Sequence, residues 1–215
     1  MSTRNNHINR TVIALIAFMA LIAGLFISQH FHQKKKIDPS EFNGTLLEQP
    51  RGIKTFSLTG VDKKSFNNAS LQGHWTMMFF GFTSCGYVCP TTMAELGKMY
   101  HLLEEKGVEL PRVVMISVDP DRDSLDKLAH YVQAFNAHFY GARGDDNMLK
   151  QMTREMGIAY TKVAMANSED ATNYDIEHSG AIMLFNPKGE LNAFFTTPHQ
   201  AALLANDYQL LVSVS

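Results

Sequence analysis

The chain has 215 residues, 45% of them hydrophobic and 19% charged, with a formal net charge of -2. That balance excludes a disordered chain and offers no basic footprint for nucleic acid, and 14 glycines with 7 prolines exclude a collagen-like or low-complexity one. The only cysteines are Cys85 and Cys89, too few for a disulfide scaffold or a four-thiolate zinc module.

Thr11 to Ser28 reads TVIALIAFMALIAGLFIS, eighteen residues without a charge. As a helix it would be roughly 27 Å long, close to the hydrocarbon thickness of a bilayer. It is apolar on every face, which argues against a helix of a globular core. A cleaved signal peptide competes with this reading. Its apolar region is usually only about 7 to 15 residues long, however, and the following ISQHFH contains no small-x-small cleavage site. The expected organisation is a short cytoplasmic segment over 1–10, a single transmembrane anchor over 11–28 and a polar linker over 29–50. Arg4 and Arg10 flank one side of the apolar run and Lys34, Lys35 and Lys36 the other, so charge alone does not orient it. The lysines stand several residues beyond the apolar edge, which favours a cytoplasmic N-terminus. No Arg-rich, Ser-rich presequence precedes the run. The expected location is therefore a bacterial inner membrane, crossed once, with the folded part facing the periplasm.

Residues 51–215 suffice for one α/β domain. Thr55 to Leu58 and Lys64 to Phe66 predict two short strands around Gly60-Val61-Asp62. Trp75 to Phe82 is a continuous apolar run, the pattern of a strand buried on both faces. Met93, Leu96, Met99, Tyr100 and Leu103 recur at helical spacing over 91–106, and Gly107 ends that helix. Arg112 to Val118 predicts a second buried strand. Ser124 to Asn136 follows as a helix capped by Asp123 or Ser124. A short strand near Phe139, a helix over 147–156 and an alternating strand over 158–163 come next. Ser179 to Phe185 and Leu191 to Thr196 flank the turn NPKGE as a hairpin, and a helix over 198–212 closes the chain. Periodicity supports α/β, and the order of elements matches a thioredoxin-like layout.

The segment FTSCGYVCP lies where a buried strand gives way to a helix, the edge at which α/β sheets collect their sites. Two cysteines four apart on a helix would have Cα atoms about 6 Å apart, close enough for a disulfide or for one shared metal ion. A helix N-terminus favours negative charge, so at least one thiol is expected to be acidic. Thioredoxin-type oxidoreductases place two residues between their cysteines; here there are three, Gly86, Tyr87 and Val88. Peroxiredoxins carry Pro and Thr or Ser seven and three residues before their cysteine, where this chain has Met78 and Phe82. The pair suits a metal or a disulfide.

These features together make the chain resemble the Sco/SenC family. The resemblance rests on GFTSCGYVCP, on ISVDPDRD from Ile116 to Asp123 and on YDIEHS from Tyr174 to Ser179, and it extends over 51–215. It implies a thioredoxin-like domain behind one N-terminal helix, with copper, Cu(I) or Cu(II), held by Cys85, Cys89 and His178. It also implies service to the Cu-A site of cytochrome c oxidase, as a metallochaperone, a thiol reductant or both. The expected partners are the copper-bearing oxidase subunit, a thioredoxin-type reductant for the Cys85–Cys89 dithiol, and the membrane through residues 11–28. His178, read as lying in a loop immediately before a buried strand, is delivered to the sheet edge. The other eight histidines fall before the anchor, in the linker, on helices or away from the cysteine end.

Two thiolates suit Cu(I), and an added imidazole suits Cu(II) as well; zinc accepts the same set. Glu177 is a candidate to orient the His178 ring. Asp119, Asp121 and Asp123 alternate as in a calcium loop, but Ser124 and His130 occupy the positions of its glycine and bidentate glutamate. Capping and an ion pair with Arg122 explain these aspartates better, and the family resemblance makes their loop a candidate partner surface near the site. The twelve methionines are expected in the core rather than on copper. The alternative function is a thiol-disulfide oxidoreductase that acts through Cys85 and Cys89 without metal transfer.

Overall fold

The computed structural model describes residues 14–24, 37, 39–164 and 174–214. Two compact units divide the chain, Met1–Ile37 with Val214–Ser215 and Asp38–Ser213. In the first, residues 14–24 form helix α1 with every side chain exposed, Leu15, Phe18, Met19 and Leu21 among them. No helix among the described residues is long and apolar enough to cross a membrane. The remaining residues of the expected anchor, 11–13 and 25–28, lie outside the described ones.

Among the described residues, the second unit has a mixed sheet of eight strands, a two-stranded ribbon and four α-helices. Its core strand is β4 (Thr76–Gly81), buried at all six positions. β5 (Arg112–Ser117) lies parallel to it, from Thr76 beside Arg112 to Gly81 beside Ser117. β6 (Tyr140–Arg143) lies parallel to β5 in turn. Parallel neighbours need crossovers. Helix α2 (Val88–Glu105) supplies the first and α3 (Leu125–Gln133) the second. The buried stripe of α2 contains Met93, Leu96, Met99, Tyr100 and Leu103, the residues its helical spacing singled out.

On the other side of β4, β9 (Ile182–Phe185) runs antiparallel and brings Ile182 beside Phe79. The start of β9 therefore lies beside the end of β4. β10 (Leu191–Phe195) pairs with β9, and Asn186 closes their turn by accepting from the backbone of Lys188 and Glu190. The hairpin β2 (Ser57–Gly60) and β3 (Ser65–Asn67) extends the far edge through β6. Helices α4 (Asp146–Met156) and α5 (Ala201–Ser213) complete the unit, α5 packed along α2.

Two expectations change. Residues 45–50, assigned to the linker, belong to β1 (Thr45–Arg51), an edge strand paired with β10. Its mostly exposed side chains and Pro50 hid it, since an edge strand tolerates both. The segment before β9 is likewise no loop. Tyr174–His178 forms β8, paired with β7 (Tyr160–Ala164) in a separate two-stranded ribbon. Most of the described methionines behave as core, Met77, Met78, Met93, Met99, Met115 and Met152 among them, while Met19 is exposed.

Candidate metal centre

The cysteine segment leaves the carboxyl end of β4. Cys85 donates its backbone N–H to the Phe82 carbonyl at 3.3 Å, which turns the chain toward α2. The helix begins at Val88, three residues ahead of the expected Thr91, so Cys89 stands in its first turn and Cys85 in the loop before it. Tyr87 occupies the N-cap position without a side-chain capping bond, and its ring is 77% exposed. The Cys85 sulfur takes over part of the capping role by accepting the free N–H of Cys89 at 3.4 Å. Cys89 is fully buried and Cys85 half-buried. Gly81 makes that burial possible, because a Cβ there would come within 2.9 Å of the Cys89 sulfur.

His178 reaches the same edge because it ends β8, just ahead of β9. Its ring stands edge-on to Phe79 and Phe82, with centroids 6.0 and 5.8 Å away. Nδ1 lies 3.3 Å from the Ser179 carbonyl, an oxygen that only accepts, so the neutral ring carries its hydrogen there. The bare Nε2 then faces the Cys89 sulfur at 3.2 Å. Ser179, rather than the exposed Glu177, is the partner of the ring. The ligand atoms of Cys85, Cys89 and His178 all lie within 4.8 Å of one another, and no other such cluster occurs among the described residues.

A third segment ties the two halves of this site together. It follows β5, which is parallel to β4, and so emerges at the same edge. Asp123, fully buried, accepts from Thr83 N at 3.0 Å, from the Thr83 hydroxyl and from Ser117 Oγ at 2.7 Å. That carboxylate holds the cysteine loop. Asp119, also fully buried, accepts from the Tyr174 hydroxyl at 2.6 Å and from Arg122 Nε at 2.5 Å. Arg122 donates to the Tyr174 carbonyl at 2.7 Å and stacks over its ring at 3.9 Å. Tyr174 begins the strand that His178 ends, so this clamp sets the strand that carries the imidazole. The ion pair with Arg122 is as expected, and two inward carboxylates leave no calcium loop. Ser124, not Asp123, caps α3, accepting from Lys127 N.

The SCO1/SenC family matches residues 45–213. The chain belongs to this family. A SCO2-like protein of Rickettsia prowazekii is 28% identical over 185 residues, 86% of this chain and 88% of its own. The crystal structure of Arabidopsis thaliana ScoI with copper bound is 28% identical, covers 74% of this chain and 97% of that one, and aligns with a TM-score of 0.67. BsSco is described as having a disulfide switch and as a member of the Sco family of cytochrome c oxidase assembly proteins. It is 16% identical over 79% of this chain and 99% of its own, with a TM-score of 0.60, a likeness of fold alone. The fold is thus the thioredoxin-like Sco fold.

Within this Sco site the two sulfurs are not equivalent. A hydrogen bond from the Cys89 thiol to the Cys85 sulfur is the main cause of both shifts. It holds Cys85 far below the ordinary thiol range and Cys89 far above it, and burial pushes Cys89 up further. Cys85 is the thiolate and Cys89 the thiol. The one proton of Cys89 lies between two acceptors, the Cys85 sulfur and His178 Nε2. Two sulfurs and an imidazole form a soft set that fits a copper ion.

The remaining described histidines stay away from this set. His101 faces Glu104 and Glu105 on an exposed turn of α2, and His130 and His138 are exposed. His199 lies before α5, with Nε2 2.6 Å from the Gly180 carbonyl. Sequence reasoning missed Thr83, Tyr174 and the inward turn of Asp123. The available signal was a run of carboxylates at the end of a buried strand with too few cations beside them in sequence.

Proposed function

We propose that this Sco protein takes up copper at Cys85, Cys89 and His178 and either delivers it to, or maintains the cysteines of, the copper-bearing subunit of cytochrome c oxidase. The observation that carries this reading is the convergence of the three ligand atoms within 4.8 Å. The chain's membership of the SCO1/SenC family and its copper-bound Arabidopsis relative support it. Residues 11–28, uncharged throughout, serve as a single anchor in a bacterial inner membrane, with residues 1–10 cytoplasmic and the folded unit in the periplasm. There a dithiol is readily oxidised, and a Cys85–Cys89 disulfide could hold no metal, so a thioredoxin-type reductant completes the cycle.

Copper titration of the full, reduced chain is expected to saturate at about one ion per chain, bound far more tightly than zinc. Cys85→Ser, Cys89→Ser and prior oxidation of the pair are each expected to abolish uptake. Copper retained by the oxidised chain, or zinc held in preference, overturns the reading.

A second reading is favoured by the asymmetry of the pair. A half-buried thiolate at Cys85 and a buried thiol at Cys89 also form a nucleophile with its resolving partner. Thiol–disulfide exchange would then act without metal. His178→Ala separates the two: joint loss of copper uptake and oxidase assembly supports copper delivery. Intact assembly in that variant, with loss in Cys85→Ala, supports exchange.

A further inference from the structure

His178 ends β8, and only Ser179, Gly180 and Ala181 join it to β9. Those residues pass from the ribbon to the main sheet, so the way their peptides are held governs where the imidazole stands. Ser179 N donates to the Ala159 carbonyl at 3.0 Å, and the Ser179 carbonyl accepts from the His178 ring. The next carbonyl along, that of Gly180, lies 2.6 Å from His199 Nε2. A carbonyl only accepts, so Nε2 carries the hydrogen. Nδ1 of the same ring is buried, with no hydrogen-bond partner among the described residues. A proton there would be a buried donor without an acceptor. His199 is therefore neutral, and its one donor is committed to Gly180.

Gly180 is also where the imidazole segment meets the cysteine helix. A Cβ there would come within 2.8 Å of Val88 Cγ1, beside Cys89 in sequence, and within 2.6 Å of Thr197 Cγ2. The backbone of Gly180 thus passes between the first residue of α2 and the segment that leads into α5. That segment is fixed to α2 in its own right, because Glu95 accepts from Ala201 N at 2.7 Å. Val88 and Glu95 stand two turns apart on one face of α2. His199, between Thr197 and Ala201, has its main chain tied to the helix that carries Cys89 and its side chain tied to the loop that follows His178.

We propose that His199 is a positioning residue of the metal centre: its Nε2–H holds the Gly180 carbonyl, and with it the loop that presents the His178 imidazole to the two sulfurs. The proposal rests on the metal-binding reading of the site and adds to it a residue that touches no metal. Two sulfurs suffice to hold Cu(I), whereas Cu(II) draws on the imidazole as well. Loss of the His199 contact falls on Cu(II) first, a division that a general loss of stability would not produce.

The test is His199→Phe in the full chain, which keeps a ring and removes the donor, beside His199→Gln, whose amide N–H reaches about as far as Nε2. Affinity for each copper state is read by competition with a chelator of that state. In His199→Phe the Cu(II) affinity is expected to fall roughly tenfold, the scale for groups that orient a metal ligand. Cu(I) affinity is expected to stay within about twofold, and His199→Gln to restore that for Cu(II). Unchanged Cu(II) affinity, an equal loss for both ions, or a loss that His199→Gln does not restore overturns the proposal. Should the Phe variant not fold, His199→Asn, whose amide stops short of Gly180, takes its place in the same comparison. The His178 ring resonances of the metal-free chain, read by NMR, are expected to move in the variant without the donor and to return in His199→Gln. Resonances that stay in place overturn the proposal whatever the copper affinities. If the parent takes up no copper, the functional reading falls, and these resonances decide for or against His199 alone.

Discussion

Cys85 is where the chain's acid–base chemistry meets solvent. Its sulfur accepts from the Cys89 backbone at 3.4 Å and from the Cys89 thiol, so it remains a thiolate as the pH falls below the ordinary thiol range. Iodoacetamide is expected to modify Cys85 at pH 5 within about twofold of its rate at pH 8. A free thiol would slow by roughly a thousandfold over that span. Cys89, buried and held protonated, is expected to react only after unfolding. Peptide mapping after timed alkylation reads both sites at once. A Cys85 rate that climbs tenfold per pH unit between pH 5 and 8 contradicts the assignment. The pair itself is legible in the sequence, since two cysteines four apart after a buried strand have few other uses. Which of them is the thiolate is not legible, because that depends on where α2 starts. The helix starts at Val88, which leaves the Cys85 sulfur outside it, where it accepts the free N–H of Cys89.

At the scale of elements, the loop after β5 joins parts that are distant in sequence. Asp123 grips Thr83, and Asp119 with Arg122 grips Tyr174, so one loop fixes the approach of the cysteine loop and of β8. Asp123→Ala would leave the Thr83 and Ser117 donors buried without their acceptor. The expected loss is about 3 kcal/mol, a Tm lower by roughly 6 to 12 °C. Because the carboxylate holds the cysteine loop, weaker copper binding is expected even at temperatures where the variant is fully folded. Metal competition at such a temperature separates the two effects, and unchanged affinity there shows that Asp123 serves stability alone. The sequence displayed these aspartates without their direction. Alternating carboxylates read equally well as solvated loop, cap or ion site until the strands that surround them are in place. β8 was hidden for a related reason: only Ile176 of its five side chains is fully buried, so its apolar signal is too thin to stand out.

Across the whole folded unit, order in space departs from order in sequence. The first strand joins the last, β1 against β10, and Asp207 of α5 secures the segment that leads into it. That buried carboxylate accepts from Asn43 N, Gly44 N and Asn43 Nδ2 at 2.8 to 2.9 Å. Asp207→Ala is expected to cost about 2 kcal/mol and to release the edge, not the centre. Hydrogen exchange should accelerate over residues 43–51 while β4 amides keep their protection; equal acceleration in both contradicts this division. The sequence by itself determined the α/β class, the buried β4, β5 and β9, the α2 stripe, the terminal hairpin and the cysteine pair. Each of these is written in local periodicity and in residue types whose burial is dictated by hydrophobicity. Only the tertiary structure decided that β1 closes an edge, that His178 ends a strand, and that its Nε2 meets Cys89 at 3.2 Å across 89 residues of chain. Such contacts follow from sheet order and register. The antiparallel placement of β9 against β4 brings Ile182 beside Phe79, and with it the imidazole beside the sulfurs.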